Sequence, residues 1–187
     1  GYNSKDYARN AKKIMIDIDD KELSKNNSSF MDLHIQCDAK FFMTKLYKFM
    51  KVIKKENSKW NKYCSSIRKK FPIIEKSYKL QKKVNSYYFI NELSTALSPR
   101  STIITDMGLS FVGTHQAFKV KKNQKLFTNS GHAPMGWGLP ASIGAYFSDI
   151  KRNTICLTGE GGLQMNIQEL ATIKHHKIPI KIFIYNN

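Results

Sequence analysis

The stretch from Gly159 to Asn187, GEGGLQMNIQELATIKHHKIPIKIFIYNN, constrains the fold more than any other part of the chain. It starts with an acid between glycines, Gly159-Glu160-Gly161, continues for 24 residues, and ends on the pair Asn186-Asn187. An apolar β-type run, Asn153–Thr158, leads into the turn. A helical pattern follows, Lys177-Ile178-Pro179 breaks it, and a second apolar run covers Ile180–Tyr185. Two strands joined by one helix run parallel, with a right-handed crossover. Glu160 and Asn187 then fall at the carboxyl ends of parallel strands, on the edge where open α/β sheets bind ligands. A carboxylate and an amide oxygen meeting there, beside a helix N-terminus, suit a magnesium ion carrying a diphosphate. The plainer reading of the same stretch is an ordinary βαβ unit with a glycine-rich turn.

Upstream, the pattern predicts a helix over Tyr87–Leu97 closed by Ser98-Pro99, and a strand over Ser101–Thr105 ending at Asp106-Met107-Gly108. A further strand is expected over Lys125–Asn129, then the glycine-rich Gly131–Gly144, with a helix over Leu139–Phe147. This alternation predicts an α/β fold, a parallel sheet with helices on both faces. The helix after the Gly159 turn is expected to begin near Leu163 or Gln164. Its Leu163, Ile167, Leu170 and Ile173 should face the sheet, with Met165 and Asn166 structural. His175-His176 sit in its last turn, where cations complement the helix dipole, and adjacent histidines do not share a face for a metal.

Composition narrows the function classes. A hydrophobic content of 41% supports a core. No apolar run reaches the roughly 18–20 residues that span a bilayer, and GYNSKDYARNAKK lacks a signal-peptide core. Cys37, Cys64 and Cys156, widely spaced and without a CxxC pair, predict reduced thiols in a cytoplasmic protein. The net charge of +17 centres on Lys40–Lys83, whose only acids are Glu56 and Glu75. Nearly all these cations are lysines, whereas bidentate contact with phosphates or bases favours arginine. They interleave with Phe42, Leu46, Phe49, Ile53, Trp60, Tyr63 and Ile67 at helical spacing, which predicts one buried stripe and one solvated face. That pattern favours solvated helices; binding of nucleic acid or of an acidic partner is the competing reading of the charge.

Gly-Glu-Gly, the two dozen residues after it and Asn186-Asn187 resemble the thiamine diphosphate (ThDP) signature. The intervening MNIQELATIKHHKIPIKIFIYNN is similar to acetolactate synthase and its relatives in bacterial surface-polysaccharide clusters. Residues 1–40, with AKKIMIDIDDKEL and DLHIQCDAK, resemble the last strands of the central domain of such enzymes. The resemblance implies three zones: 1–40 as the tail of a central domain, 41–84 as a lysine-rich helical connector, and 85–187 as a ThDP diphosphate-binding domain. A chain that opens at Gly1 within such a passage and stops at Asn187 is expected to be a fragment, its fold incomplete at both ends.

The resemblance also assigns roles. Glu160, standing where the family has Asp, and Asn187 are implied as magnesium ligands. The added methylene displaces the carboxylate by roughly 1.5 Å, which Gly161-Gly162 are expected to absorb by a backbone retreat. Gly159, Gly161 and Gly162 let backbone N–H groups approach the diphosphate. In SGHAPMGWGLPASIGA, Met135 takes the place of the side chain that bends the cofactor into its V shape, Ala133 offers a carbonyl to the 4′-amino group, and the Met135 N–H reaches the pyrimidine. In TDMGLSF, Gly108, Leu109 and Ser110 occupy the diphosphate-contacting places, the last also through its hydroxyl. Asp106 reads equally as a cofactor contact or a strand-end turn acid. Acetolactate synthases proper commonly have Gly-Gln-His there, so Leu109-Ser110 fit the polysaccharide-cluster relatives better. His132 is a candidate for acid/base work, and His115 a weaker one.

The implied enzyme joins or decarboxylates 2-oxo acids through a ThDP-bound carbanion. It is a homo-oligomer in which a separate pyrimidine-binding domain supplies the activating glutamate, so this chain alone is expected to be inactive. FAD, which acetolactate synthases bind through the central domain, stays open. The alternatives are a related 2-oxo-acid decarboxylase and a non-catalytic basic interaction protein on the same scaffold.

Overall fold

β-branched residues dominate Ser101–Thr105 and Asn153–Gly159, and in the computed structural model these become the two central strands of a parallel sheet. The structure describes residues 6–25, 30–50 and 58–186. They fall into two units, divided between Cys64 and Ser65.

The first unit pairs β1 (Ile14–Asp17) in parallel with β2 (Leu33–Gln36), with α1 (Asp20–Leu23) between them. Asp19 caps α1 by accepting from the Lys21 N–H at 2.9 Å, and Asp38 accepts from the Phe41 N–H at the start of α2 (Ala39–Met50). The division between the units falls within α3 (Ser58–Lys70). The lysine-rich segment is therefore helical, but its expected apolar stripe is not buried. Phe42 and Leu46 are half-buried, whereas Phe49, Trp60, Tyr63 and Ile67 are exposed, and Ile53 lies outside the described residues. Helical spacing gathers apolar side chains on one face; covering that face takes a second layer.

The second unit holds α4 (Ser86–Ala96), β3 (Ser101–Thr105), α5 (Leu109–Ala117), β4 (Lys125–Phe127), α6 (Gly138–Ser148), β5 (Asn153–Gly159), α7 (Glu160–Met165), α8 (Glu169–His175) and β6 (Lys181–Tyr185). The strands lie in the order β4-β3-β5-β6, all parallel. Ile103 pairs with Ile155 and Thr105 with Leu157, so alternate residues feed two cores. On one face Ile103, Ile155 and Leu157 pack with Leu93 of α4, flanked by Phe89, Phe118, Phe183 and Tyr185. On the other, α6 brings its buried Leu139, Ser142 and Ile143 against β3 and β5. Helices on both faces bury every residue of β3. The predicted α/β class is the observed one.

Charged side chains close the amino-terminal edge. Arg152 donates to Thr102 Oγ1 at 2.9 Å and to the carbonyls of Ser101 and Asn123, joining β3, β5 and the turn before β4. Lys121 Nζ donates to the carbonyls of Thr95 and Leu97 at 2.6 Å, satisfying the last turn of α4. After α8 the Ile178 N–H donates to the Ile173 carbonyl and the Lys177 N–H to Lys174, with Lys177 at φ 51°. This is a Schellman closure, and Pro179 follows it.

The region after Gly159 departs from expectation in two ways. The helix begins at Glu160, earlier than Leu163, because an acid is favoured in a first turn. It then breaks at Asn166, whose side chain donates to the Gly136 carbonyl at 2.7 Å and draws the backbone to φ −133°. The break spoils the 3.6-residue register: Leu163 and Ile173 are half-buried, while Ile167 and Leu170 are exposed, not turned to the sheet.

All three cysteines are free. Burial pushes the Cys156 thiol up to about 11, against an ordinary 9.0. Above about pH 9 the unfolded chain loses this proton and the folded chain keeps it. This group therefore lowers stability progressively between about pH 9 and 11, by roughly 2–3 kcal/mol. At pH 8 an alkylating reagent should modify the half-buried Cys37 and Cys64 in the native protein and reach Cys156 only after denaturation, as read by peptide mass spectrometry. Native labelling of Cys156 at a rate like that of the other two would contradict this core.

Candidate functional site

From β3 the chain moves outward to β4, crosses back through α6 and enters β5 on the other side of β3. The strand order thus reverses between β3 and β5, and the crevice beyond their carboxyl ends is where such sheets bind ligands. Asp106 leaves β3 at that point and Gly159-Glu160 leaves β5. They meet in a cleft of about 150 Å³ lined by Asp106–Ser110, Met135, Gly159–Gly162 and Tyr185.

Asp106 is the floor. It is 1% exposed, and its carboxylate accepts from the Met107 N–H at 2.8 Å, from Thr158 Oγ1 at 3.0 Å and from the Gly136 N–H at 3.1 Å. A buried carboxylate needs such donors to offset its lost hydration. Two glycines follow from its position. A Cβ on Gly138 would lie 2.9 Å from Asp106 Cβ, and one on Gly162 would collide with the Asp106 carboxylate and sit 3.0 Å from Thr158 Oγ1. The starts of α6 and α7 are seated directly on this side chain.

Gly108, at φ 74° and ψ −138°, turns the chain into α5. The first N–H groups of α5 and α7 lack intrahelical carbonyl partners, so two sets of donors border the cleft. Ser110 is buried and donates its hydroxyl to the Met107 carbonyl at 3.0 Å. Its proton lies within the turn, between the strand end and α5. Met135 is 53% exposed, and a Cβ on Gly161 would lie 3.3 Å from its Cε. The methionine therefore forms one wall, opposite the glycine turn.

The cleft gathers Gly108, Leu109, Ser110, Met135, Gly159, Glu160, Gly161 and Gly162. His132 and Ala133 are exposed on the preceding loop and do not line it; Ala133 stands at φ 50° and donates its N–H to Asn129. His115 places Nδ1 2.9 Å from the Phe111 carbonyl on its own helix and does not line the cleft. Asn187 lies outside the described residues. Sequence reasoning left Asp106 undecided and missed Tyr185, which pairs in register with Gly159. The signal for Tyr185 was its place at the end of the strand beside the Gly159 turn.

The chemistry of the lining suits an anion with a hard cation. Glu160 is exposed and makes no hydrogen bond or ion pair among the described residues, leaving its oxygens open. No three His, Cys, Asp or Glu side chains gather among the described residues, so an ion at Glu160 would draw on other oxygen ligands. Tyr185 adds a buried hydroxyl without a hydrogen-bond partner among the described residues, whose acidity burial weakens. A larger cleft of about 670 Å³, lined by Lys83, Asn85, Phe89 and Phe183 among others, shares Leu109 and Tyr185 with the first. No described helix is long and apolar enough to cross a membrane.

Residues 106–187, which begin at the buried aspartate and include the whole cleft, match the family described as thiamine pyrophosphate enzyme, C-terminal TPP binding domain. Beyond that segment, 97% of the chain is similar to the acetolactate synthase isozyme 1 large subunit of Escherichia coli K12, at 31% identity, and to the acetolactate synthase large subunit of Cyanidium caldarium, at 35%. A probable acetolactate synthase large subunit of Methanococcus aeolicus is 32% identical over 98% of the chain. The chain spans about a third of these relatives, 31%, 31% and 32% of their lengths. Residues 106–187, with the glycine turn and the buried Asp106, thus match the C-terminal TPP binding domain of the thiamine pyrophosphate enzymes.

Proposed function

We propose that this chain holds the diphosphate end of ThDP and a magnesium ion as part of an acetolactate synthase-like enzyme that joins or decarboxylates 2-oxo acids. The observation that carries the reading is the cleft itself: Gly108–Ser110, Met135 and Gly159–Gly162, distant in sequence, line one crevice beside two helix N-termini. The N–H groups at the starts of α5 and α7 donate to diphosphate oxygens, and the partial positive charge of both helix ends favours that anion. Glu160 supplies a carboxylate oxygen to the ion; Asn187 is its proposed partner. Leu109, Met135 and Tyr185 give the cleft its apolar wall, which excludes water from the bound group. Once bound, ThDP supplies the nucleophilic carbon that attacks the carbonyl of a 2-oxo acid.

The remaining parts of the reading are the oligomer, the pyrimidine-binding domain with its glutamate, and a cytoplasmic location. They are supported by the resemblance and by the three free thiols. FAD is left out of it. His132 and Ala133, on the loop before Met135, are proposed to face the pyrimidine.

Isothermal titration of the full chain with ThDP and Mg²⁺ should show saturable binding that disappears with EDTA. No heat change at millimolar cofactor would sink the proposal. Glu160→Ala should weaken Mg²⁺-dependent ThDP binding at least about tenfold, while Glu160→Asp stays within about threefold. Unchanged binding in Glu160→Ala would remove Glu160 from the metal site.

A further inference from the structure

We infer that Asp106 and Asn166 are positioning residues, which grip Gly136 by its N–H and by its carbonyl and so fix Met135 in the cofactor cleft. The inference rests on the function proposed above and assigns the work of holding one wall of that site. Met135 is more than half exposed, so packing alone does not hold it. The peptide next to it is held tightly. The Gly136 N–H donates to both carboxylate oxygens of Asp106 at 3.1 Å, and the Gly136 carbonyl accepts from Asn166 Nδ2 at 2.7 Å.

Gly136 has no freedom to leave this grip. It stands at φ 83°, and a Cβ there would lie 2.8 Å from Met165 Cβ and 3.0 Å from Asn166 Nδ2. Each jaw is anchored in turn. Asp106 is fixed by Thr158 and by the Met107 N–H; Asn166 accepts from Gln168 Nε2 at 3.1 Å. One jaw ends β3 and the other ends α7, so the grip joins the two sides of the cleft through one residue of a third loop.

The role of Asp106 is to accept hydrogen bonds, and charge is not needed for it. Thr158 Oγ1 also lies 3.1 Å from the Gly159 carbonyl. In Asp106→Asn the hydroxyl can turn its proton there and accept from the new amide, while the remaining oxygen serves Met107 and Gly136. Asp106→Leu keeps the bulk and loses every acceptor. Asn166→Ala removes the opposite jaw at a half-buried position and leaves the core untouched.

Residue-resolved hydrogen exchange and ThDP–Mg²⁺ titration of the full chain test this together. Asn166→Ala and Asp106→Leu should each speed exchange of the Gly136 amide and weaken ThDP binding by about tenfold, with Ile103 and Ile155 amides unchanged in Asn166→Ala. Asp106→Asn should stay within about threefold of the unaltered chain in both readouts. Two results would overturn the inference: Gly136 exchange and ThDP affinity within twofold of the unaltered chain in Asn166→Ala, or Gly136 and the strand amides loosening together in that variant. An unaltered chain that takes up no ThDP defeats the proposed function instead, and Gly136 exchange alone then decides the grip.

Discussion

A carboxylate with 1% exposure and no ion pair among the described residues is costly unless donors surround it, and the second unit is arranged to supply them to Asp106. One comes from the turn after β3, one from the loop before α6 and one from β5. Three segments distant in sequence must therefore converge before the side chain is satisfied. The same convergence leaves no room for side chains at Gly138 and Gly162, so both helices that follow start against the floor of the cleft. The cleft is a by-product of satisfying one buried group.

Topology places that group where it has an effect. In a parallel sheet all carboxyl ends point one way, and reversal of the strand order keeps the connections from β3 and β5 apart, leaving a gap. Asp106 closes the bottom of that gap and leaves the helix N-termini of α5 and α7 free at its rim. Arg152 and Lys121 tie the chain far from this edge, at the strand starts and the end of α4. Stability is thus fastened at one side of the sheet, and unpaired donors remain available at the other.

Much of this was legible from local patterns. The β-branched run Ser101–Thr105 forms a strand with the expected limits, and the helix expected over Leu139–Phe147 extends by one residue at each end. These segments carry their structural preference within themselves. What sequence could not resolve depends on distant partners. The bonds of Asp106 reach across 30 residues to Gly136 and 52 to Thr158, and no local pattern shows those partners. The helix after Gly159 looked continuous because its apolar spacing ignores Asn166, whose partner is also 30 residues away. The lysine-rich helices show the reverse: a correct local period, with the exposure of Phe49, Trp60 and Tyr63 set by what lies opposite.

Glutamate at position 160 gains a physical meaning from the same geometry. A retreat of Gly161-Gly162 would be one way to accommodate its extra methylene, but Gly162 is wedged between Asp106 and Thr158, and Gly161 faces Met135. A side chain at Gly162 has no room there, so the turn lies close against the floor. α7 starts at Glu160 itself, so its rotatable side chain offers a second route for that adjustment. In a helix the Cα–Cβ bond tilts toward the N-terminus, so a first-turn side chain points back over the strand end it has just left. A longer, rotatable carboxylate in that place reaches over the cleft from its rim, where it is exposed and makes no hydrogen bond or ion pair among the described residues. The buried, hydrogen-bonded acid at Asp106 and the exposed acid at Glu160 divide the work. One sets the shape of the site, and the other is free to meet what enters it.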